Sequence, residues 1–400
     1  MVWLRWLLVS VAFAGCTTNH DTLARRPPAT GGAAGSGGTG GSGFGTGNTG
    51  NFASGGRVNP DDEPAGVDVL TIVNGVVDAD SVRLCFARLG EGAAEGELMG
   101  DPMPELGYAR STVLTELPGL DFEIDSVQPW VLSGDFSLLD GLNCQQSVEV
   151  ARQEEANVTP VAEPSAGLGG ASGGEEAAGG SGGATAEAEA EGGAGGAVED
   201  PGPPLEKPAL RARPIAALPA GSLVTGRSLL LVLSGCLGGA YYRDAIQTSI
   251  CGDAYAPDEP SVQPVLVKLS RDLAFDKVGL QAVQAALPVG AVDVKAGSDG
   301  ALTFASGLGF GSIAPRPADV RFGVVELGLS AIDSGLQAVG RDGVLLERSW
   351  FSIRDASGIA SIATARSYTA VLIGPDPLVI KHGWWREATF TLVDNDPTRK

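Results

Sequence analysis

The chain has 400 residues and a mass of 40.5 kDa, which ordinarily corresponds to about two or three domains. Its formal charge of −21 and isoelectric point near 4.4 disfavour nucleic acid or an anionic membrane face as a partner. The two histidines, His20 and His382, leave little basis for a His-based triad or a His-rich metal site. We therefore expect no metal, no cofactor and no enzymatic activity.

The first sixteen residues have the pattern of an export signal. Arg5 precedes an apolar run from Leu7 to Ala14, which is too short to span a bilayer. The run ends in Phe13-Ala14-Gly15-Cys16, which resembles the lipobox of bacterial lipoproteins. The resemblance implies acylation of Cys16, and Thr17 after it implies the outer membrane, on either the periplasmic or the cell-surface face. An ordinary secretory signal with an incidental cysteine is the alternative.

Two low-complexity segments divide the chain. Between Gly31 and Gly56, 13 of 26 residues are glycine, so residues 17–65 are predicted to form a flexible tether. A second segment, about residues 151–209, is rich in Gly, Ala and Glu and carries a net charge of −9. Such a composition is typical of a disordered, solvated insertion.

Short apolar runs separated by Gly, Pro and Asp predict β-strands in the rest of the chain. No amphipathic stretch longer than about ten residues competes with them. The predicted strands are Val69–Val73, Val82–Phe86, Ser228–Ser234, Val265–Leu269, Val278–Val283, Val320–Leu327, Tyr368–Ile373 and Ala388–Val393.

An internal repeat explains the position of the second segment. Residues 225–235 share Thr, Arg, Ser, Val, Leu and Gly with residues 364–374 at an offset of 139, and the apolar positions of 70–84 recur in 280–294 at an offset of 210. The offsets differ by 71 residues, close to the length of the low-complexity segment. This favours two copies of one β-domain, at 66–258 and 259–400, with the insertion in a loop of the first; chance similarity is the alternative.

The second copy also resembles a known family. Residues 283–294 (VQAALPVGAVDV) resemble the "VHASPDAPAVDV" signature of a bacterial surface-domain family of unknown function (number 4397), and residues 367–374 (SYTAVLIG) resemble its "YTVVVVG" strand. Gln284 stands where that family has His. The resemblance implies an immunoglobulin-like antiparallel sandwich on a secreted or lipid-anchored protein, with no defined activity.

Besides Cys16, the chain has four cysteines, an even number that suits an oxidising compartment. Three pairings are formally possible. Cys236 and Cys251 bracket a 14-residue loop after a repeated apolar strand, while Cys85 lies on an early strand and Cys144 shortly precedes the insertion. All four fall in the first copy. We predict the disulfides Cys85–Cys144 and Cys236–Cys251.

One aromatic segment is a candidate ligand platform. In His382-Gly383-Trp384-Trp385-Arg386, entering the last predicted strand, successive side chains point to opposite faces. One Trp would then face outwards beside Arg386 and could stack on a sugar or a protein partner. An edge Trp that merely covers the sheet is the alternative. Tyr241-Tyr242 invites the same argument with less force.

Two acidic clusters, Asp78-Ala79-Asp80 and Asp394-Asn395-Asp396, have neither the ligand count nor the glycine of a calcium loop, so we predict solvated turns. The sequence thus predicts an all-β protein of two tandem β-domains, and the family resemblance implies that both are immunoglobulin-like antiparallel sandwiches. The expected function is that of a non-enzymatic outer-membrane surface lipoprotein that binds or adheres. Its expected partners are the membrane, through the lipid, and a glycan or protein at the cell surface. A purely structural envelope component and an enzyme of unrecognised chemistry are the alternatives.

Overall fold

The computed structural model describes residues 69–90, 96–116, 120, 124–157, 210–222, 226–238, 250–251, 260–271, 275–287, 289–315, 320–378 and 386–399. Within these ranges the chain is built mostly of β-strands, with two α-helices, which confirms the predicted all-β sandwich class. The predicted signal sequence, the tether and most of the insertion lie outside the described residues.

The strands are numbered in chain order. They are β1 (Val69–Val76), β2 (Ser81–Leu89), β3 (Glu97–Met99), β4 (Leu106–Gly107), β5 (Ser111–Leu114), β6 (Ser126–Gly134), β7 (Leu210–Pro214), β8 (Ser228–Gly235), β9 (Gln263–Leu269), β10 (Val278–Ala286), β11 (Val292–Ser298), β12 (Leu302–Leu308), β13 (Ile313–Ala314), β14 (Arg321–Phe322), β15 (Ser334–Gly340), β16 (Gly343–Ser349), β17 (Arg366–Gly374) and β18 (Thr389–Asp394). The helices are α1 (Cys144–Asn157) and α2 (Trp350–Ser357), and a 3₁₀ turn covers Phe136–Leu139.

These strands form four sheets that make two sandwiches. The first sandwich joins the sheets β3-β2-β6-β7 and β5-β1-β8-β9, and the second joins β13-β10-β17-β18 and β12-β11-β15-β16. Each sandwich is closed by its own apolar cluster. Most strand pairs are antiparallel, but the central pairs β1–β8 and β10–β17 are parallel, so the two sheets that contain them are mixed.

The strand registers support the internal repeat. In the first copy Val69 pairs with Ser228, and in the second Gly279 pairs with Ser367, which are the positions given by the offsets of 210 and 139. The backbone turns agree as well, because the last residues of β8 and β17, Gly235 and Gly374, have φ of 109° and 110°. A side chain is strained at such a φ, so both copies keep glycine there.

The two sandwiches pack against each other, so the body has four layers. A third apolar cluster lies between the sheets of β1 and β10; it includes Val232, Val265, Val283, Val371 and Val393. Every residue of β1, β8 and β10 is buried. These strands have apolar neighbours on both faces, which explains why their sequences are near-continuous apolar runs and do not alternate.

The four central strands run in the same direction and give the body two ends. At one end, called the distal end, Gly75 lies against Ile373 and the backbone N–H of Arg386 donates to the carbonyl of Val77 at 3.0 Å. At the other, the proximal end, Asn395 donates to the carbonyl of Ser270 at 2.8 Å. β1, β8, β10 and β17 all begin at the proximal end and finish at the distal end.

The insertion lies in the hairpin between β6 and β7, whose counterpart between β15 and β16 is the short turn after Gly340. Helix α1 occupies the beginning of this connection, so residues 151–157, which were predicted to be disordered, are helical. Asn143 and Gln146 form a capping box, each side chain accepting the other's backbone N–H at 2.9 and 3.1 Å.

Helix α1 covers the outer face of the sheet that contains β2 and β6. Its buried residues Cys144, Val148 and Ala151 follow a helical stripe and pack on Trp130 and Leu132 of β6. In the second copy, the repeat offsets and the matching strand registers put Gln337 and Val339 at the positions of these two residues. The second copy therefore has the polar Gln337 at the position where the first copy, beneath the inserted helix, has Trp130.

Two sequence predictions about the strands need correction. β9 pairs with β8 along its whole length, so the first sandwich extends to Leu269 and the boundary predicted after residue 258 is too early. Within the predicted strand Val320–Leu327, only β14 is extended, and the residues after it form turns that bury Leu327. Gly323 donates its N–H to Glu326 there at 2.5 Å, which closes the turn locally.

Candidate functional site at the distal end

A buried ion pair organises the distal end. Asp78 follows β1, and its carboxylate accepts the backbone N–H groups of Leu237 and Gly238 at 2.8 and 2.9 Å. Arg211 of β7 lies 3.4 Å from the same carboxylate and donates to the carbonyls of Gly238 and Asp78 at 2.6 and 3.2 Å. The side chains are 1% and 5% exposed, so the prediction of a solvated turn is wrong for Asp78. This cluster fixes the turn after β1 to the chain that follows β8.

Asp80, two residues later, joins this turn to the second sandwich. It is exposed and forms an ion pair with Arg386, the last residue of the predicted aromatic platform. Beside it, the phenol of Tyr108 donates to the carbonyl of Glu387 at 2.8 Å, and burial raises the pKa of Tyr108 well above its usual value. The segment that leads into β18 is thus held by the first sandwich.

Both predicted disulfides are present, with Cα–Cα distances of 5.6 Å for Cys85–Cys144 and 5.4 Å for Cys236–Cys251. The first joins the outward side of β2 to the first residue of α1 and so fixes the helix on the sheet. The second closes the chain after β8 at the distal end, next to the turn that Asp78 holds.

Two segments with paired aromatic residues are joined to the body at this end. Trp384 and Trp385 lie outside the described residues, but Arg386 directly after them pairs with Asp80. Tyr241 and Tyr242 also lie outside, and Gly238, three residues before them, is bonded to Asp78. The attachment points of both segments therefore meet at the single turn 77–80. The guanidinium of Arg386 is used in an ion pair and does not stand alone beside the tryptophans.

The other acidic cluster lies at the proximal end and is also not a solvated turn. Asn395 is fully buried, donates to Gln281 Oε1 at 3.0 Å, and its Oδ1 accepts the hydroxyl of Thr369 at 2.7 Å. Asp394 pairs with Arg366. The cluster is a buried polar network that closes the junction between the sandwiches.

Sequence reasoning missed the two polar residues that most constrain the central strands and the distal end. Arg211 lies in the otherwise apolar Leu210-Arg211-Ala212 start of β7, and a charge inside such a strand was the available signal for a buried partner. Gln284 lies within the apolar run of β10, is fully buried and donates to the carbonyl of Val289 at 2.9 Å.

Among the described residues no group of three or more His, Cys, Asp or Glu side chains could hold a metal ion, and no helix there is long and apolar enough to cross a membrane. No protein-family model matches the sequence, and no curated protein matches it either. The resemblance to the surface-domain family therefore stays a prediction. Cys16 lies outside the described residues, as does His382.

Proposed function

We propose that the protein is a non-enzymatic lipoprotein of the outer membrane that uses a rigid β-body to present its distal end to a partner. The observation that carries the proposal is the common direction of the four central strands. The chain from the anchor at Cys16 enters β1 at the proximal end, whereas the turn 77–80 and both aromatic-bearing segments join the body at the distal end. β1 alone extends over about 26 Å, at roughly 3.3 Å per residue.

Rigidity supports the presenting role. The two sandwiches share an apolar cluster, and hydrogen bonds cross between them, such as the one from Thr391 Oγ1 to the carbonyl of Ala109 at 2.6 Å. The described residues of both sandwiches that meet at the turn 77–80, such as Asp80 and Arg386, are joined before a ligand binds, which reduces the entropy lost on binding. The two disulfides suit an oxidising compartment and agree with export.

The proposed contact residues are Trp384 and Trp385, with Arg386 fixing the segment to Asp80. Aromatic rings offer large apolar area with a polar edge, which suits stacking on a sugar or on a protein partner. The membrane is reached through the lipid on Cys16, and multiple acyl chains give stable anchoring. No nucleic acid is proposed as a partner, since the net charge is −21.

Anchoring is tested by replacing the lipid-bearing residue. Cys16→Ala should abolish incorporation of a fatty-acid probe and release the protein from the membrane fraction, whereas Cys85→Ala/Cys144→Ala should keep the label. Label retained in Cys16→Ala contradicts the lipoprotein proposal. Protease added to intact cells then shows on which side of the outer membrane the protein lies. Loss of the body indicates the cell surface, and protection indicates the periplasm.

Binding is tested with a glycan array on the full chain carrying Cys16→Ser. Trp384→Ala/Trp385→Ala should abolish any binding that the unaltered distal end gives. Phe275→Ala is the matched control, because Phe275 is 96% exposed and lies between β9 and β10 at the proximal end. Equal binding by both variants, or an array without any binding, contradicts the glycan platform.

A further inference from the structure

We propose that the body is a mechanical clamp that resists tension applied between the N-terminal anchor and the distal end. The inference rests on the proposed function, because a protein anchored at one end and bound at the other is pulled along that line. The clamp itself is a property of the strand arrangement and can be measured without lipid or ligand.

The load enters through a central strand. β1 is the first described strand after Cys16, and it lies between two neighbours rather than at an edge. Eight consecutive residues of β1 pair with β8, and four pair with β5 on the other side. The ladder continues past both ends of the strand, because Val69 donates to the carbonyl of Arg227 at 3.1 Å and Val77 to that of Gly235 at 2.9 Å.

The load leaves through a central strand of the second copy. β17 finishes at the distal end, where the chain continues towards Leu378 and the tryptophans. Nine residues of β17 pair with β10 and six with β18. β1 is therefore pulled towards the proximal end and β17 towards the distal end, both along their own axes.

The direction of pulling decides how the ladders fail. Tension along a strand loads all of its hydrogen bonds together, so none can break before the others share the force. Tension across a strand at one end loads one bond at a time, and the strand peels off. Forced unfolding is governed by the unfolding barrier along the pulled coordinate, so the same folded protein should resist the two directions differently.

Packing between the layers opposes sliding of β1 past β17. A Cβ placed on Gly75 would lie 2.7 Å from the carbonyl oxygen of Leu233 and 3.0 Å from Cγ2 of Ile373. The backbone of β1 is thus in close contact with both its neighbour and the facing sheet. The hydroxyl of Ser234 also donates to the carbonyl of Ala285 across the interface. Sliding would have to break these contacts together with the ladders.

The test pulls one chain in two geometries by single-molecule force spectroscopy. The full chain carries Cys16→Ser and an N-terminal handle, with the second handle on an introduced thiol at Leu378→Cys or at Phe275→Cys. Both positions are exposed, at 68% and 96%, so neither substitution should change the melting temperature. Leu378→Cys pulls along β1 and β17, whereas Phe275→Cys places both handles at the proximal end and peels β1 from its start.

At equal loading rate, the unfolding force through Leu378→Cys should exceed that through Phe275→Cys by at least about twofold. Equal forces, or a lower force through Leu378→Cys, overturn the clamp. Both arms share the same N-terminal segment and the same thermal stability, so the difference reports the pulling geometry alone. Because the chain is unlipidated, this result is independent of the Cys16 labelling experiment, and failure of one proposal is distinguishable from failure of the other.

Discussion

Asn74 and Gln284 occupy equivalent positions in the two copies, and both use a buried side chain to hold the end of a central strand. The side-chain Oδ1 of Asn74 accepts the backbone N–H of Val76 at 3.0 Å, and the side-chain Oε1 of Gln284 accepts the backbone N–H of Ala286 at 2.8 Å. Each amide nitrogen donates to a backbone carbonyl, from Asn74 to Leu106 of β4 at 3.1 Å and from Gln284 to Val289 after β10 at 2.9 Å. Both strands thus end with their last N–H groups satisfied inside the protein.

Removing either amide should destabilise the body. Asn74→Ala and Gln284→Ala each remove the side-chain acceptor of a buried N–H and a hydrogen bond to a backbone carbonyl, so we expect a loss of about 2–4 kcal/mol in the free energy of unfolding. Gln153→Ala is the control, since Gln153 is exposed on α1, and it should change that free energy by less than about 0.5 kcal/mol. Chemical denaturation measures all three. A loss at Asn74 or Gln284 no greater than that of the control would refute the bonding role.

The pair Asp78 and Arg211 gives a second prediction. Arg211→Met removes the cation and leaves a buried carboxylate with only its two backbone donors, which should cost about 3–5 kcal/mol of folding free energy. Glu97→Gln breaks the exposed pair of Glu97 with Arg88, 3.3 Å long, and should cost no more than about 1 kcal/mol. Denaturation curves compare the two. Similar small losses would show that the buried pair is dispensable.

Much of the fold could be predicted from local pattern, because seven of the eight apolar runs that were predicted to be strands lie in strands of the structure. Both disulfides were also predictable from position in the repeat. The stacking of the sandwiches was not predicted. A run such as VLTIVNGV in β1 fits the core of one sandwich, and only the facing strands β10 and β17, more than 200 residues later, show that both faces are covered.

Helix α1 was missed although the sequence carried its signal. The capping pair Asn143 and Gln146 is followed by a stripe of small or apolar residues at 144, 147, 148 and 151, but the low-complexity composition beginning nearby suggested disorder. At the distal end, the burial of Asp78 could not be read from its turn, because its partner Arg211 lies across the insertion, 133 residues away.

The disulfides should stabilise unequally. Cys85–Cys144 closes a separation of 59 residues and Cys236–Cys251 one of 15, so chain entropy predicts losses of about 4 and about 3 kcal/mol on replacing each pair with alanine. Cys85→Ala/Cys144→Ala should also raise amide hydrogen exchange in α1 selectively, because that bridge fixes the helix to β2. Unchanged exchange in α1 would mean that packing on Trp130 and Leu132 suffices to hold it.

The connection between β6 and β7 has one part that should not affect stability and one part, containing α1, that should be needed for it. Deleting residues 167–198, which lie outside the described part of the chain, should leave the melting temperature nearly unchanged. Replacing residues 135–209 with the turn Arg341-Asp342 of the second copy should instead destabilise and aggregate the protein, because it exposes Trp130 and Leu132. Calorimetry and size-exclusion chromatography distinguish these outcomes. A large drop for the shorter deletion would show that the insertion makes packed contacts.

Two tyrosines should make the body sensitive to alkali. Burial raises the pKa of both Tyr108 and Tyr368 above the usual value of about 10, and Tyr368 is almost fully buried, with its oxygen accepting the N–H of Ala363 at 3.0 Å. A group whose pKa is higher in the folded than in the unfolded state stabilises the fold, and this contribution is fully present at pH values below its pKa in the unfolded chain. Above about pH 10 the unfolded chain loses these protons first, so stability declines as pH rises towards the folded values.

The measurement is the phenolate absorbance at 295 nm during an alkaline titration, followed together with the melting temperature. In the folded protein part of the absorbance should appear only when the chain unfolds. Tyr108→Phe should remove part of that late component and make the fall of stability above pH 10 shallower, while below pH 10 it should cost about 1 kcal/mol through the lost bond to Glu387. Tyr368→Phe should likewise lower the late component. If both variants keep the full late absorbance and the same alkaline slope, the two phenols are not the groups responsible.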